Sequence, residues 1–94
     1  MLTIDVSSVV SEDELHGLLQ REFDFPSFYG GNWDAFWDAV TGLVEIPGHV
    51  RFLGWDSLLE HVPSGGRMLR RQLDNYRNRY RPDLLVEYVQ GRHL

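Results

Sequence analysis

The sequence predicts an α/β fold, and three observations carry the prediction. Leu2-Thr3-Ile4-Asp5-Val6 alternates apolar and polar residues as a half-buried strand does, Val50-Arg51-Phe52-Leu53 and Leu84 to Val89 are further strand-forming runs, and helical periodicity fills the stretches between them. Strands separated by helices pair in parallel and are joined by right-handed crossovers. At 94 residues the chain is the size of one domain, spanning 1–94, and its 43% hydrophobic content is that of a sequence that folds on its own.

Each element follows from local signals. After the first strand, Ser11 followed by Glu12, Asp13 and Glu14 is a helix cap with an acidic first turn, and the helix runs to about Glu22. Phe23 to Gly31, with Pro26 and the Gly30-Gly31 pair, is a loop; Asn32 then caps a second helix from Trp33 to about Thr41, which Gly42 allows to end. The second strand is followed by a short helix from Trp55 to His61. A last helix follows, in which Leu69, Leu73, Tyr76 and Tyr80 recur at helical spacing with arginines on the other positions. This stripe assigns both tyrosines to the core.

Composition narrows the function. The net charge is −5, yet residues 1 to 66 hold eleven acids against Arg21 and Arg51, whereas residues 67 to 94 hold three acids against seven arginines. An acidic surface repels nucleic acid and attracts basic partners. No cysteine is present, which excludes disulfides, thiol catalysis and cysteine-held zinc. The N-terminal stretch has neither a basic start nor a long apolar run, so the expectation is a cytoplasmic protein without signal peptide or membrane anchor.

The informative segment is Phe23 to Glu45. Residues 23 to 37 carry seven of the twelve aromatics, and Asp24, Asp34, Asp38 and Glu45 have no basic residue among them. A helical wheel puts Trp33, Phe36, Val40 and Val44 on one side and Asp34, Asp38, Thr41 and Glu45 on another, with Trp37 at the boundary. Trp33 and Phe36 therefore belong to the core. Asp34 and Asp38 form an i,i+4 like-charge pair that costs a helix roughly 0.2–0.5 kcal/mol. Three readings compete for this stripe: a solvated face, an enzyme or metal-binding domain using Asp34 and Asp38, and a protein-binding surface whose carboxylates imitate phosphates. Neighbouring acids on one exposed helical face flank a substrate cleft poorly, and no histidine joins them at ligand spacing. Carboxylates do accept forked, charge-assisted bonds from arginine as phosphates do, while tyrosine and tryptophan supply rigid apolar contact. The third reading is preferred.

The run Phe25-Pro26-Ser27-Phe28-Tyr29-Gly30-Gly31-Asn32-Trp33-Asp34-Ala35-Phe36-Trp37-Asp38, continued by Thr41-Gly42 and Val44-Glu45, resembles the signature of the barstar family, whose order of strands and helices also matches the flanks. The resemblance implies a three-stranded parallel sheet in the order 1-2-3 packed with helices. It further implies a non-enzymatic bacterial inhibitor, monomeric when free, that needs no cofactor. Its partner is a small basic ribonuclease of the secreted type, bound 1:1 before it leaves the cell. Carried over residue by residue, Tyr29 lies against the nuclease active site on a loop shaped by Gly30, Asp38 enters the phosphate-binding pocket, and Asp34 pairs with the enzyme's basic groups. Trp37 is an interface tryptophan, Thr41 and Gly42 stand at the rim, Glu45 closes the motif, and Asp74 is the candidate acid from the last helix. A binding module for a basic protein other than a nuclease is the alternative within the same resemblance.

The sequence departs from the family pattern in places. Leu43 stands where the best-known member carries an interface tryptophan, Gly31 replaces an acid, and Phe28 replaces a contact tyrosine, keeping the ring without the hydroxyl. Arg67, Arg70, Arg71, Arg77, Arg79 and Arg81 interleave with Tyr76 and Tyr80 in a pattern that suits RNA, but tyrosines committed to the core leave the arginines as a solvated face. His16, His49, His61 and His93 have no metal spacing and read as isolated core or surface residues.

Overall fold

A computed structural model describes residues 1–91; His93 lies outside them. Three parallel strands, β1 (Leu2–Asp5), β2 (His49–Leu53) and β3 (Leu85–Val89), form one sheet in the order β1-β2-β3. Leu2 pairs with Val50 and Ile4 with Phe52, while Val50 pairs with Val86 and Phe52 with Tyr88. Because side chains alternate along a strand, this register places Ile4, Val50, Phe52 and Tyr88 on one face. The first three are buried, and Tyr88 packs against them. On the other face Glu87 accepts from Arg51 Nε at 2.9 Å and lies 2.6 Å from His49 Nε2.

Helices fill both crossovers. α1 (Glu12–Glu22) begins where the Ser11 hydroxyl accepts from the Glu14 amide at 3.1 Å, and the Glu14 carboxylate reaches back to the Val10 amide. It buries Leu15, His16 and Leu19. α2 (Trp33–Asp38) begins at Asn32, whose Oδ1 accepts from the Ala35 amide at 2.8 Å. In the second crossover, α3 (Trp55–His61) matches its predicted bounds and leads into α4 (Pro63–Tyr80), whose first position suits a proline because that amide has no helical acceptor. Gly54 precedes α3 in the left-handed region at φ +74°, and a Cβ there would lie 2.4 Å from that of Ser7. Only glycine lets the β2 end pass the β1 end at that point.

Two expectations are corrected. The second helix does not continue in α form to Thr41; after Asp38 the chain widens into a π-helical turn, Ala39–Leu43, closed by Val44 N–H donating to Ala39 O at 3.0 Å. Thr41 Oγ1 meanwhile donates to the Trp37 carbonyl at 2.6 Å. Val44 is already extended, so Val44 and Glu45 lie beyond the helix rather than on its stripes. The α4 stripe buries Leu69, Leu73 and Tyr76, but Tyr80 is 58% exposed. It is the last helical residue, and among the described residues the aromatic rings beside it are those of Trp37 and Tyr76, at centroid distances of 6.2 and 6.1 Å. Among the described residues no helix is long and apolar enough to cross a membrane.

Candidate functional site

The segment with the densest motif is held from below by its own aromatics. Phe23, Phe25 and Phe36 are buried, with Phe36 5.7 Å from Phe25 and 5.5 Å from Trp33 between ring centroids. Trp33 is half-buried against this cluster, at the edge of the core to which the sequence assigned it. The loop above it is fixed by backbone bonds. Phe25 N–H donates to Gln20 O at 2.9 Å, Gln20 Nε2 donates to Pro26 O at 3.0 Å, and Tyr29 N–H donates to Pro26 O at 3.0 Å. Gly31 then turns the chain into α2 at φ +67°, a left-handed conformation that favours glycine. A side chain at this position would be strained by that conformation.

A shallow groove of about 290 Å³ opens between this loop and the end of α2, lined by Phe28, Tyr29, Gly30, Ala35, Asp38 and Leu43. Three of the sequence-derived candidates, Tyr29, Gly30 and Asp38, meet there. Asp34 is exposed one turn before Asp38 on α2, and Thr41 and Gly42 are exposed on the π-helical turn. Trp37 is half-buried beside Tyr80, and Glu45 is exposed on the extended chain after the turn. Asp74 is not in the groove. It is exposed on α4, where its charge acts on the Tyr88 phenol together with those of Arg70 and Arg77.

The acids of α2 and of the chain just after its wide turn are unneutralised by the described residues. Among the described residues Asp34, Asp38 and Glu45 make no ion pair with any basic group. Phe28 and Leu43, 73% and 50% exposed, frame Asp38 with apolar surface. Both were legible only as departures from the motif, yet both line the groove. None of the described His, Asp and Glu residues cluster in a way that would hold a metal ion.

Sequence reasoning also missed His16. It is 4% exposed, the one buried polar residue among those described, and its Nδ1 lies 2.5 Å from the Tyr29 hydroxyl. Burial holds its imidazole below the ordinary value, against the opposing charges of Glu12 and Asp13, and burial likewise raises the Tyr29 phenol. Glu12 and Asp13 from α1 and Tyr29 from the loop are the titratable groups around it. The folded chain therefore binds a proton at His16 less readily than the unfolded chain. The stability this represents is complete above the unfolded value near 6.5 and is lost as the pH falls through the folded value. Denaturant unfolding at pH 7.5 and 5.5 is expected to show the parent losing more stability on acidification than a His16→Asn variant; equal losses would remove His16 from the account.

Comparison with known proteins agrees with the fold. Half of the chain, 46 residues, is 41% identical to the Bacillus subtilis (strain 168) protein described as "Putative ribonuclease inhibitor YrdF", and the match spans about half of that protein's length. The family model described as Barstar (barnase inhibitor) matches residues 1–88. With the parallel β1-β2-β3 sheet in place as well, the chain belongs to the barstar family.

Proposed function

We propose that this chain is a protein inhibitor of a small basic ribonuclease, acting inside the producing cell as a 1:1 complex, and that the groove with its acidic helix is the surface that closes the nuclease active site. The observation that carries the reading is Asp38, a carboxylate with no ion-pair partner among the described residues, in a groove walled by Tyr29, Phe28 and Leu43. A carboxylate so placed offers two acceptor oxygens to arginine or lysine groups that otherwise hold a phosphate, while the rings around it exclude water. Asp34 adds a second charge one turn away, and Trp37, Thr41 and Gly42 extend the contact along α2 and its wide turn. Glu45 contributes to the acidic field from just beyond the turn. Asp74, exposed on α4 among arginines and outside the groove lining, would engage only a partner whose contact extends beyond the groove to that helix.

The direct test is titration of barnase, the ribonuclease named in the family's description, and of the basic ribonuclease fraction of the host's culture medium, against a fluorogenic RNA. Activity is expected to reach zero at one inhibitor per enzyme. Full hydrolysis by both at a tenfold excess of inhibitor would overturn the reading.

Charge complementarity also makes a kinetic prediction. Long-range attraction between the acidic face and a basic enzyme is screened over about 10 Å at 0.1 M salt. Stopped-flow association is therefore expected to slow as salt rises from 0.05 to about 0.5 M, by well over the change in dissociation rate. Association that is independent of salt would argue against phosphate imitation and for an apolar contact.

A further inference from the structure

The loop that carries Tyr29 is gripped from α1 at two points. His16 Nδ1 lies 2.5 Å from the Tyr29 hydroxyl, and the His16 ring packs on Trp33 with centroids 4.4 Å apart. One turn earlier on α1, Glu12 Oε1 accepts from Trp33 Nε1 at 3.1 Å. Between these anchors lies Gly30-Gly31-Asn32, and the first two have no side chain with which to fix their own course. Tyr29 and Gly30 line both the groove that holds Asp38 and a second hollow of about 210 Å³, which Asp13, His16, Gly17, Gln20 and Gly31 also line. Tyr29 thus stands with Gly30 between the two hollows, and its hydroxyl is tied to a single buried group.

We propose that His16 is a positioning residue of the partner-binding face: its bond to the Tyr29 hydroxyl holds the phenol ring as the wall of the Asp38 groove and thereby sets the affinity for the ribonuclease. The affinity half of this inference rests on the proposed inhibitor function; the positioning half concerns the free protein alone. Chemistry favours a donor–acceptor arrangement in which the hydroxyl donates to an unprotonated Nδ1, because burial disfavours the imidazolium. Phe25 packs on the same ring at 4.9 Å between centroids, and Tyr29 remains only half-buried, so part of it is left for a partner.

Two readouts test the inference, on the full chain and four proteins: parent, His16→Ala, His16→Asn and Tyr29→Phe. Asparagine places an amide where Nδ1 stands and so retains a partner for the hydroxyl, whereas alanine does not. The first readout is amide hydrogen exchange at Tyr29, whose N–H donates to Pro26 O. His16→Ala is expected to raise it about tenfold, the equivalent of one net hydrogen bond, with Tyr29→Phe doing the same from the other side of the bond and His16→Asn restoring protection. Exchange in the β2 core, at Phe52, should be unchanged relative to global stability. The second readout is the dissociation constant for barnase, expected to rise about tenfold in His16→Ala and to return to within about threefold of the parent in His16→Asn. Parental exchange at Tyr29 in both His16→Ala and Tyr29→Phe overturns the positioning role. Loosened exchange with parental affinity overturns the link to binding. A parent that binds neither barnase nor the host's basic ribonuclease counts against the inhibitor function, and the exchange measurement then decides the positioning role by itself.

Discussion

Replacing Asp38 with alanine is expected to weaken the complex with the target ribonuclease by at least about 2 kcal/mol, a factor of roughly 30 in dissociation constant, while leaving the free protein as stable as the parent or slightly more so. The first half follows from where the carboxylate sits. It lines the groove with Tyr29, Phe28 and Leu43 and has no partner among the described residues, so in a complex it is desolvated together with whatever basic groups it meets. Truncation leaves those groups buried and unpaired, a larger penalty than the loss of one rim charge, which usually stays below about 1 kcal/mol. The second half follows from the free protein. Asp38 repels Asp34 one turn away and gives way to the best helix former. Titration of nuclease activity and a thermal melt on the same two proteins decide the matter. A variant that inhibits as tightly as the parent sinks the assignment, and one that melts far below it makes Asp38 a structural residue.

How much of this was legible in the sequence depends on the range of the interactions involved. α1 was readable because its start is a local signal, Ser11 with three acids after it, and α3 was placed at the bounds it has, Trp55 to His61. The parallel sheet followed from alternating strands and helices, but its order came from the family resemblance, since periodicity carries no information about which strand lies in the middle. The π-helical turn was hidden because a wheel drawn at a fixed angle has no place for one extra residue, and Thr41 and Gly42 alone do not announce a bond from Val44 to Ala39. His16 and Tyr29 are thirteen residues apart and meet only because α1 packs under the loop, so the histidine read as isolated. The aromatic density was the subtlest signal. It was read as evidence for a binding surface, and it does mark the place, yet Phe23, Phe25 and Phe36 form the core beneath the groove and only Phe28 is mostly exposed.

That division of labour predicts a second large effect, opposite in kind to the first. Phe36 is fully buried on the inner side of α2, within 5.5 to 6.4 Å of the Trp33, Phe25 and Phe23 rings. It is two residues before Asp38 and has no access to a partner. Phe36→Ala removes the ring from a site where three other rings converge, and a core truncation of this size costs about 3–5 kcal/mol because the surroundings collapse only in part. Small domains have about 5–15 kcal/mol in all, so the melting temperature should fall by at least about 12 °C. Since α2 carries Asp34 and Asp38, apparent inhibition at 37 °C should fall with the folded fraction. Phe36→Leu keeps most of the volume and separates the two causes: at 10 °C, where it remains folded, its affinity should stay within about threefold of the parent although its melting temperature is still lowered. Asp38→Ala loses binding and keeps stability, whereas Phe36→Leu loses stability and keeps binding. A Phe36→Ala protein melting within about 4 °C of the parent would show that the aromatic cluster does not hold α2 in place, and the groove would then need another explanation for its shape.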